Sequence, residues 1–452
     1  MTTRRTRARN PISLLGAAIA GACTLLFAAL FVLDWLGYLT NPYLGLVTFI
    51  ALPLGFLLGL FLVPAGVVWA GRRGRAGRPT WPTLDLNEPA AQRIAAVGLL
   101  VGLGTLVVLS TATYGAVHYM SSVEFCGVVC HDVMEPEFTA YQTSPHAHVP
   151  CVDCHVGPGA ANFAEAKLAG VRQLAIAMTG SYARPIPAPA RTLRPARETC
   201  EQCHWPEKFH GDRFREVREY ANDEESTETI TTLRVHVGGG SERLGVATGI
   251  HWHMNVGNEV EYIALDYERQ QIPYVMLREQ DGSIREFTVD GATAEQLAGG
   301  TRHRMDCMDC HNRPSHILST TPERAVDGAL AIGRVDRSLP FIRRELVAAL
   351  STPHDDRDVA TDSIRAKLEA FYGTSYPAVA AEQRRALAQA VQVGQELYRQ
   401  NVFPSMRIDW GTYTNEIGHA DSPGCFRCHD DEHRAADGSV IRQDCEICHS
   451  FE

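Results

Sequence analysis

FCGVVCHDVMEPEFTAYQTSPHAHVPCVDCH, residues 125–155, decides how this chain is read. It holds two cysteine pairs, each followed at once by a histidine. In Cys126–Cys130–His131 three residues separate the thiols; in Cys151–Cys154–His155 there are two. The two-residue spacing recurs downstream as Cys200–Cys203–His204, Cys307–Cys310–His311, Cys425–Cys428–His429 and Cys445–Cys448–His449. Two thiols so spaced can add across the two vinyl groups of one haem, and the adjacent histidine then lies under the iron as an axial ligand. Twelve of the 13 cysteines are used this way and only Cys23 is left over. Six covalently attached haems c are therefore expected. Zinc ribbons also use paired cysteines, but they often lack a histidine directly after the second one, and here it follows six times in six. Redox dithiol motifs do not come in tandem arrays with trailing histidines. In the first motif one extra residue has to bulge for both sulfurs to reach the porphyrin, so attachment through a single thioether is open there.

The chain is 452 residues long with a formal net charge of −10, and it has no basic stripe. Nucleic acid is thereby excluded as a partner. Residues 1–119 are strongly apolar and the remainder is polar, which expects at least two separate parts. Three apolar runs reach the ~20 residues that a membrane-spanning helix needs: roughly Ile12–Leu36, Tyr43–Ala70 and Ile94–Tyr119. The first is too long for a signal-peptide core and a second run follows closely, so it is expected to be retained. Arg4, Arg5, Arg7 and Arg9 precede the first run, and Arg72, Arg73, Arg75 and Arg78 lie between the second and third. Positive loops stay in the cytoplasm. Every motif after Tyr119 is then outside, on the face of a bacterial inner membrane where haem c is attached. Gly16-x-x-x-Ala20, Gly55-x-x-x-Gly59 and Gly98-x-x-x-Gly102 expect close helix packing, and Pro53 and Pro64 expect kinks in the second span.

The expected fold class is mainly α: a three-helix transmembrane anchor and a multihaem cytochrome c domain with a small β-rich insert. Residues 1–119 form the anchor, 120–210 carry haems one to three, 211–300 the insert and 301–452 a helical C-terminal part with haems four to six. The insert rests on the segments 229–237, 259–266, 273–278 and 283–289, rich in β-branched and aromatic residues with glycine turns between them. Helical periodicity marks 341–350, 358–371 and 381–400. With few aliphatic runs in 120–210, porphyrin faces must supply much of the core there.

Electron-carrying haems take a second histidine or a methionine on iron. Six of the 18 histidines belong to motifs, which leaves twelve for six positions. The candidates beside motifs are His146, His303, His316, His419 and His433. His251 and His253 flank Trp252, and in a strand at most one of them reaches a given iron. Met134, three residues after His131, is the candidate second ligand of the first iron. His236 and His354 read as surface or local hydrogen-bonding residues.

Ser122-Val-Glu-Phe-Cys126 at the end of a membrane helix, Met134 after the first motif and Cys151-Val-Asp-Cys-His155 together resemble the NapC/NirT family over about residues 94–210. The rest is similar to larger many-haem inner-membrane members associated with respiration on extracellular acceptors. The resemblance implies a membrane-anchored cytochrome that takes electrons from menaquinol or ubiquinol and passes them to a periplasmic cytochrome or reductase. It implies a first haem at the membrane surface, ligated by a methionine like Met134, although Met134 stands one residue later than in relatives. It implies a lysine lining the quinol pocket, a role that falls on Lys167. The acidic residue of relatives is replaced here by the stretch at Arg172 and Gln173. Asp132, Glu135 and Glu137 are the candidate carboxylates to accept a quinol proton. Two further readings stand beside this one. One is a terminal reductase of a small oxyanion, although a Cys-x-x-Cys-Lys motif is absent. The other is an electron-transfer subunit of a larger complex, or a homo-oligomer.

Overall fold

The computed structural model describes residues 10–36, 38, 44, 47–73, 87–129, 131–190, 194–205, 209–238, 249–254, 258–279 and 281–452. Contacts divide the chain into two units, Met1–Met134 and Glu135–Glu452.

In the first unit α1 (Pro11–Trp35) and α2 (Leu52–Arg73) form a hairpin, and α3 (Pro89–Tyr119) is one continuous helix of 31 residues. Small residues let α1 and α2 approach backbone to backbone. A Cβ on Gly16 would lie 2.7 Å from the Gly59 carbonyl oxygen, and one on Gly59 would lie 2.6 Å from the Ala20 nitrogen. The expected small-residue faces on these two helices are therefore in use. Gly102 on α3 meets nothing within 4 Å; instead Gly115 lies against the Phe49 ring, where a Cβ would fall 2.4 Å from a ring carbon. Pro64 is inside α2, and Pro53 stands where a π-helical turn, Val47–Ala51, runs into it.

Among the described residues two helices are long and apolar enough to cross a membrane, Pro11–Leu33 and Val47–Ala70. Of the three spans expected in the anchor, two are found among the described residues. The third expected run folds as α3, with many side chains between 90 and 106 outside the described set. Arg4, Arg5, Arg7, Arg9, Arg75 and Arg78 also lie outside it, as does Tyr43. Gly59→Leu is expected to cost about 1–3 kcal/mol by overpacking, read as a lowered Tm of the holoprotein in detergent. Gly102→Leu, facing open space, is the control that leaves Tm unchanged.

The second unit contains most of α4 (His131–Gln142), then α5 (Cys151–His155), α6 (Ala160–Thr179) and α7 (Ala196–Cys200). Ala140, Tyr141 and Ala196 are the buried hydrophobic residues among those described in 135–210. So small a side-chain core fits a segment that packs around porphyrins.

Residues 212–304 build two antiparallel sheets rather than one. β1 (Asp212–Tyr220), β2 (Glu228–His236) and β8 (His449–Phe451) form the first. The second has the order β6-β3-β4-β5-β7, with β3 (Glu259–Ala264), β4 (Tyr274–Arg278), β5 (Ile284–Val289), β6 (Thr301–Arg304) and β7 (His433–Ala435). The four expected strand segments are all present. β1 escaped sequence reading because DRFREVREY is mostly charged, and β7 and β8 are three-residue edges donated from the C-terminal motifs. A short helix, α8 (Ala294–Gly299), precedes β6.

The helical part comprises α9 (Pro322–Ala331), α10 (Ile342–Leu350), α11 (Arg357–Ser375), α12 (Pro377–Glu382) and α13 (Arg384–Asn401). Its core of Leu339, Ile342, Leu346, Ile364, Leu368, Tyr372 and Tyr398 is almost fully buried. No motif falls inside this bundle, and its core is built of side chains. α14 (Cys445–Cys448) closes the chain before β8.

Candidate haem-binding sites

Five motif histidines each face a second histidine. His146, in the turn before α5, lies 6.1 Å from His204, ring centroid to ring centroid. His155, at the end of α5, lies 6.1 Å from His316. A one-turn 3-10 helix, Ile250–Met254, carries both His251, 6.4 Å from His311, and His253, 5.9 Å from His429. His419 lies 6.1 Å from His449. Rings this far apart do not touch each other. Metal–imidazole bonds are about 2.0–2.1 Å, so two imidazoles on opposite sides of one iron have centroids roughly 6.3 Å apart. The measured separations bracket that figure. Their interplanar angles run from 8° to 84°, as rotation about a shared axis permits.

Hydrogen bonds set which ring nitrogen is free. A histidine that donates Nδ1–H to an oxygen presents Nε2 to a metal. The His316 Nδ1 donates to the Glu137 carbonyl oxygen at 2.9 Å, His251 Nδ1 to Val237 O at 3.0 Å and His253 Nδ1 to Ile250 O at 2.8 Å. His146 Nδ1 donates to Pro314 O at 3.3 Å, and His429 Nδ1 to Arg442 O at 3.0 Å. Burial pushes His155, His253 and His311 down from the ordinary imidazole range. These rings are neutral at pH 7, the form that binds iron. Burial also pushes the Cys310 and Cys428 thiols up to about 12. Among the described residues no three His, Cys, Asp or Glu converge on a point that could hold a metal ion. Paired axial histidines fit haem, because the porphyrin brings its own four nitrogens.

His303 and His433, also candidates by sequence, are placed otherwise. His303 in β6 packs on the Tyr262 ring at 5.3 Å, and among the described residues it makes no ring contact with a motif histidine. His433 is buried in β7, with Nε2 donating to Ile272 O at 2.7 Å and Nδ1 donating to the Asp430 carboxylate at 2.9 Å. Neither nitrogen is left for iron. His251 and His253 do not share a strand face; the helical turn sends them to different motifs. His236 hydrogen-bonds Asp212 at 3.0 Å, the local role expected of it.

Motifs two to six follow one another in space as they do in the chain. Cys154 lies near Cys200 and Cys203, Cys200 near Cys307, and His311 near His204. Cys310 neighbours Cys425 and Cys428, and Cys425 neighbours Cys448. Buried polar contacts lock the fourth and fifth motifs together. Arg427, inside the fifth, donates to the Asp309 carbonyl oxygen at 2.5 Å and to Arg269 O at 3.0 Å, and pairs with Glu416 at 3.2 Å. The side chains of Arg427 and Glu416 are 8% and 3% exposed. The Asp309 carboxylate accepts from Arg269 at 2.7 Å and from the Tyr262 hydroxyl. Asp306 accepts from the Ala196 N–H at 3.2 Å, which ties α7 to the fourth motif.

The residues expected at the quinol end are dispersed in role. Cys126 lies in a π-helical turn, Phe125–Val129; Cys130 and the side chains of His131 and Asp132 lie outside the described residues. Met134 is half-buried in α4. Lys167 is half-buried on α6, its Nζ 5.0 Å from the Phe163 ring centroid. Glu135 is ion-paired with Arg357. Glu137 binds Arg313 through both oxygens, at 3.2 and 3.0 Å, beneath His316. Its backbone carbonyl orients His316, and its carboxylate holds Arg313. Sequence reasoning missed this role because Arg313 and His316 lie more than 170 residues away.

The family model described as "NapC/NirT cytochrome c family, N-terminal region" matches residues 89–186. Cytochrome c-type protein ImcH of Geobacter sulfurreducens (strain ATCC 51573 / DSM 12127 / PCA) is 42% identical over 460 residues, covering 100% of this chain and 90% of that protein. No solved structure gives a significant match.

Proposed function

The chain belongs to the NapC/NirT cytochrome c family, and from its membrane-linked electron transfer and covalent haem c we propose a more specific role: oxidising membrane quinol and relaying the electrons to a periplasmic redox partner. The protein is then a hexahaem cytochrome of the inner membrane, with three spans and all six motifs on the periplasmic side. The observation that carries this reading is the set of five histidine pairs. Their spacing supports His146 with His204, His155 with His316, His251 with His311, His253 with His429 and His419 with His449 as axial ligands. Haem, when bound, supplies one-electron transfer, and sites held next to one another in chain order supply it in series.

The protein's own residues do the rest. The carbonyls at Pro314, Glu137, Val237 and Ile250 keep the Nε2 lone pairs of the second histidines aimed inward. Arg427 and Asp309 hold neighbouring motifs in register. At the quinol end His131 and Met134 are the ligands proposed for the first iron, and Lys167 would orient the quinol oxygen. Because Glu135 and Glu137 are already ion-paired, Asp132 is the carboxylate proposed to take the proton. The paired histidines favour a relay over a terminal oxyanion reductase, which needs an iron with an open position. Lys167→Ala is expected to slow reduction by a menaquinol analogue by about tenfold or more, since hydrogen bonds to charged groups contribute roughly 1.5–3 kcal/mol. Reduction by dithionite should be unaffected. Equal quinol rates in both proteins would remove Lys167 from the pocket.

A further inference from the structure

We propose that the Glu137 carboxylate sets the reduction potential of the haem held between His155 and His316, lowering it through His316. The inference rests on the axial pairing proposed above. His316 Nδ1 donates to the Glu137 backbone oxygen at 2.9 Å, and a Glu137 carboxylate oxygen lies 3.3 Å from the same nitrogen. The corresponding nitrogens of His146, His251, His253 and His429 face backbone carbonyls. Among the described residues the other two histidine–carboxylate contacts are at His236 and His433, which belong to no pair. Glu137 lies near the His155 ring as well.

The carboxylate is not needed to aim the ring, because the backbone oxygen already does so. Its own place is fixed by Arg313, which donates to both its oxygens at 3.2 and 3.0 Å. Arg313 is fixed in turn: its Nε donates to the His316 carbonyl oxygen at 2.7 Å, and its guanidinium lies 4.0 Å from the Tyr413 ring centroid. The side chains of Arg313 and Glu137 are 10% and 16% exposed, so dissolved salt screens their charges little. An iron that has given up an electron carries one more positive charge than before. A negative charge beside its axial imidazole therefore favours the oxidised state. A carboxylate behind a ligating histidine also makes the other ring nitrogen a stronger donor, which acts in the same direction. Arg313 offsets part of the charge and keeps the carboxylate at the ring.

The test is a potentiometric titration of the full-length holoprotein in detergent, followed by EPR. His316→Ala removes one low-spin component and so identifies the signal of this haem. Glu137→Gln keeps the length of the side chain and loses its charge; Glu137→Asp keeps the charge and loses the length. In Glu137→Gln the reduced-to-oxidised ratio of the identified component at a fixed potential is expected to rise about tenfold, an upward shift of ~59 mV for one electron. The other low-spin components should move less. In Glu137→Asp the midpoint should stay closer to wild type. A carboxylate that only tied α4 to Arg313 would give the opposite order, since glutamine still accepts from Arg313 and the shorter aspartate reaches it less well. An unchanged midpoint in Glu137→Gln, or a shift in Glu137→Asp as large or larger, would overturn the proposal. A His316→Ala protein that keeps every low-spin component would remove the axial pairing itself, a separate failure that takes the proposal with it.

Discussion

His316→Ala is expected to convert one low-spin haem to high-spin. His316 faces His155 at 6.1 Å and its Nδ1 is held by Glu137. Removing the imidazole leaves one iron with its motif histidine alone, and a five-coordinate or water-ligated iron is the product. The change is read as a new axial high-spin EPR signal amounting to one iron per chain in the oxidised holoprotein. Two comparisons keep the experiment specific. His303→Ala removes a ring that packs on Tyr262 and should leave the spin state untouched. His433→Ala removes a buried hydrogen-bonded ring and should lower Tm without a high-spin signal. An unchanged spectrum for His316→Ala would falsify its assignment as a ligand. Glu137→Gln should give a milder result, because the backbone carbonyl that holds His316 remains.

Arg427→Ala should be the most destabilising single change outside the ligands. Its guanidinium, 8% exposed, is paired with Glu416, 3% exposed, and caps the carbonyls of Asp309, Arg269 and Gly424. Truncation leaves the buried Glu416 carboxylate without its counter-charge, with only the neutral donors Gln270 and Ser422, and three carbonyls unsatisfied, a loss of about 3–5 kcal/mol. The readout is the Tm of the holoprotein against wild type. Arg442→Ala supplies the contrast: that guanidinium is 65% exposed and 3.6 Å from Asp444, and exposed pairs contribute about 0–1 kcal/mol. Replacing both members of the buried pair with apolar residues of similar volume, Arg427→Met with Glu416→Leu, should recover much of the loss. A single variant as stable as wild type would show that this cluster does not hold the fourth and fifth motifs together.

The proposed haem-attachment motifs are legible in the sequence because covalent attachment demands a fixed local spacing, and local spacing survives without a structure. The proposed second ligands are legible only as a short list. His146, His316, His251, His253 and His419 were on it, but so were His303 and His433, since proximity to a motif in sequence does not say which way a ring points. The difference is made by distant residues: Ile272 takes up the Nε2 of His433, and Tyr262 stacks on His303. His251 and His253 misled by composition, because Gly-Ile-His-Trp-His-Met between β-rich segments reads as a strand and folds as a helical turn. In the fold, β-branched runs announced β2 to β5, whereas charged β1 and the three-residue β7 and β8 carry no periodicity long enough to read. The small-residue faces of α1 and α2 predicted their packing, but the same pattern on α3 did not: Gly115, outside any repeat, is the glycine that meets Phe49. The ion pair of Glu137 is not legible in the sequence, because Arg313 and His316 are remote in the chain.

The intact mass of the mature polypeptide tests the central claim most directly. Twelve thiols in six motifs predict the chain mass plus six covalently added haems, with no free thiol except Cys23. A polypeptide at its bare mass, with twelve thiols still open to alkylation, would contradict the account.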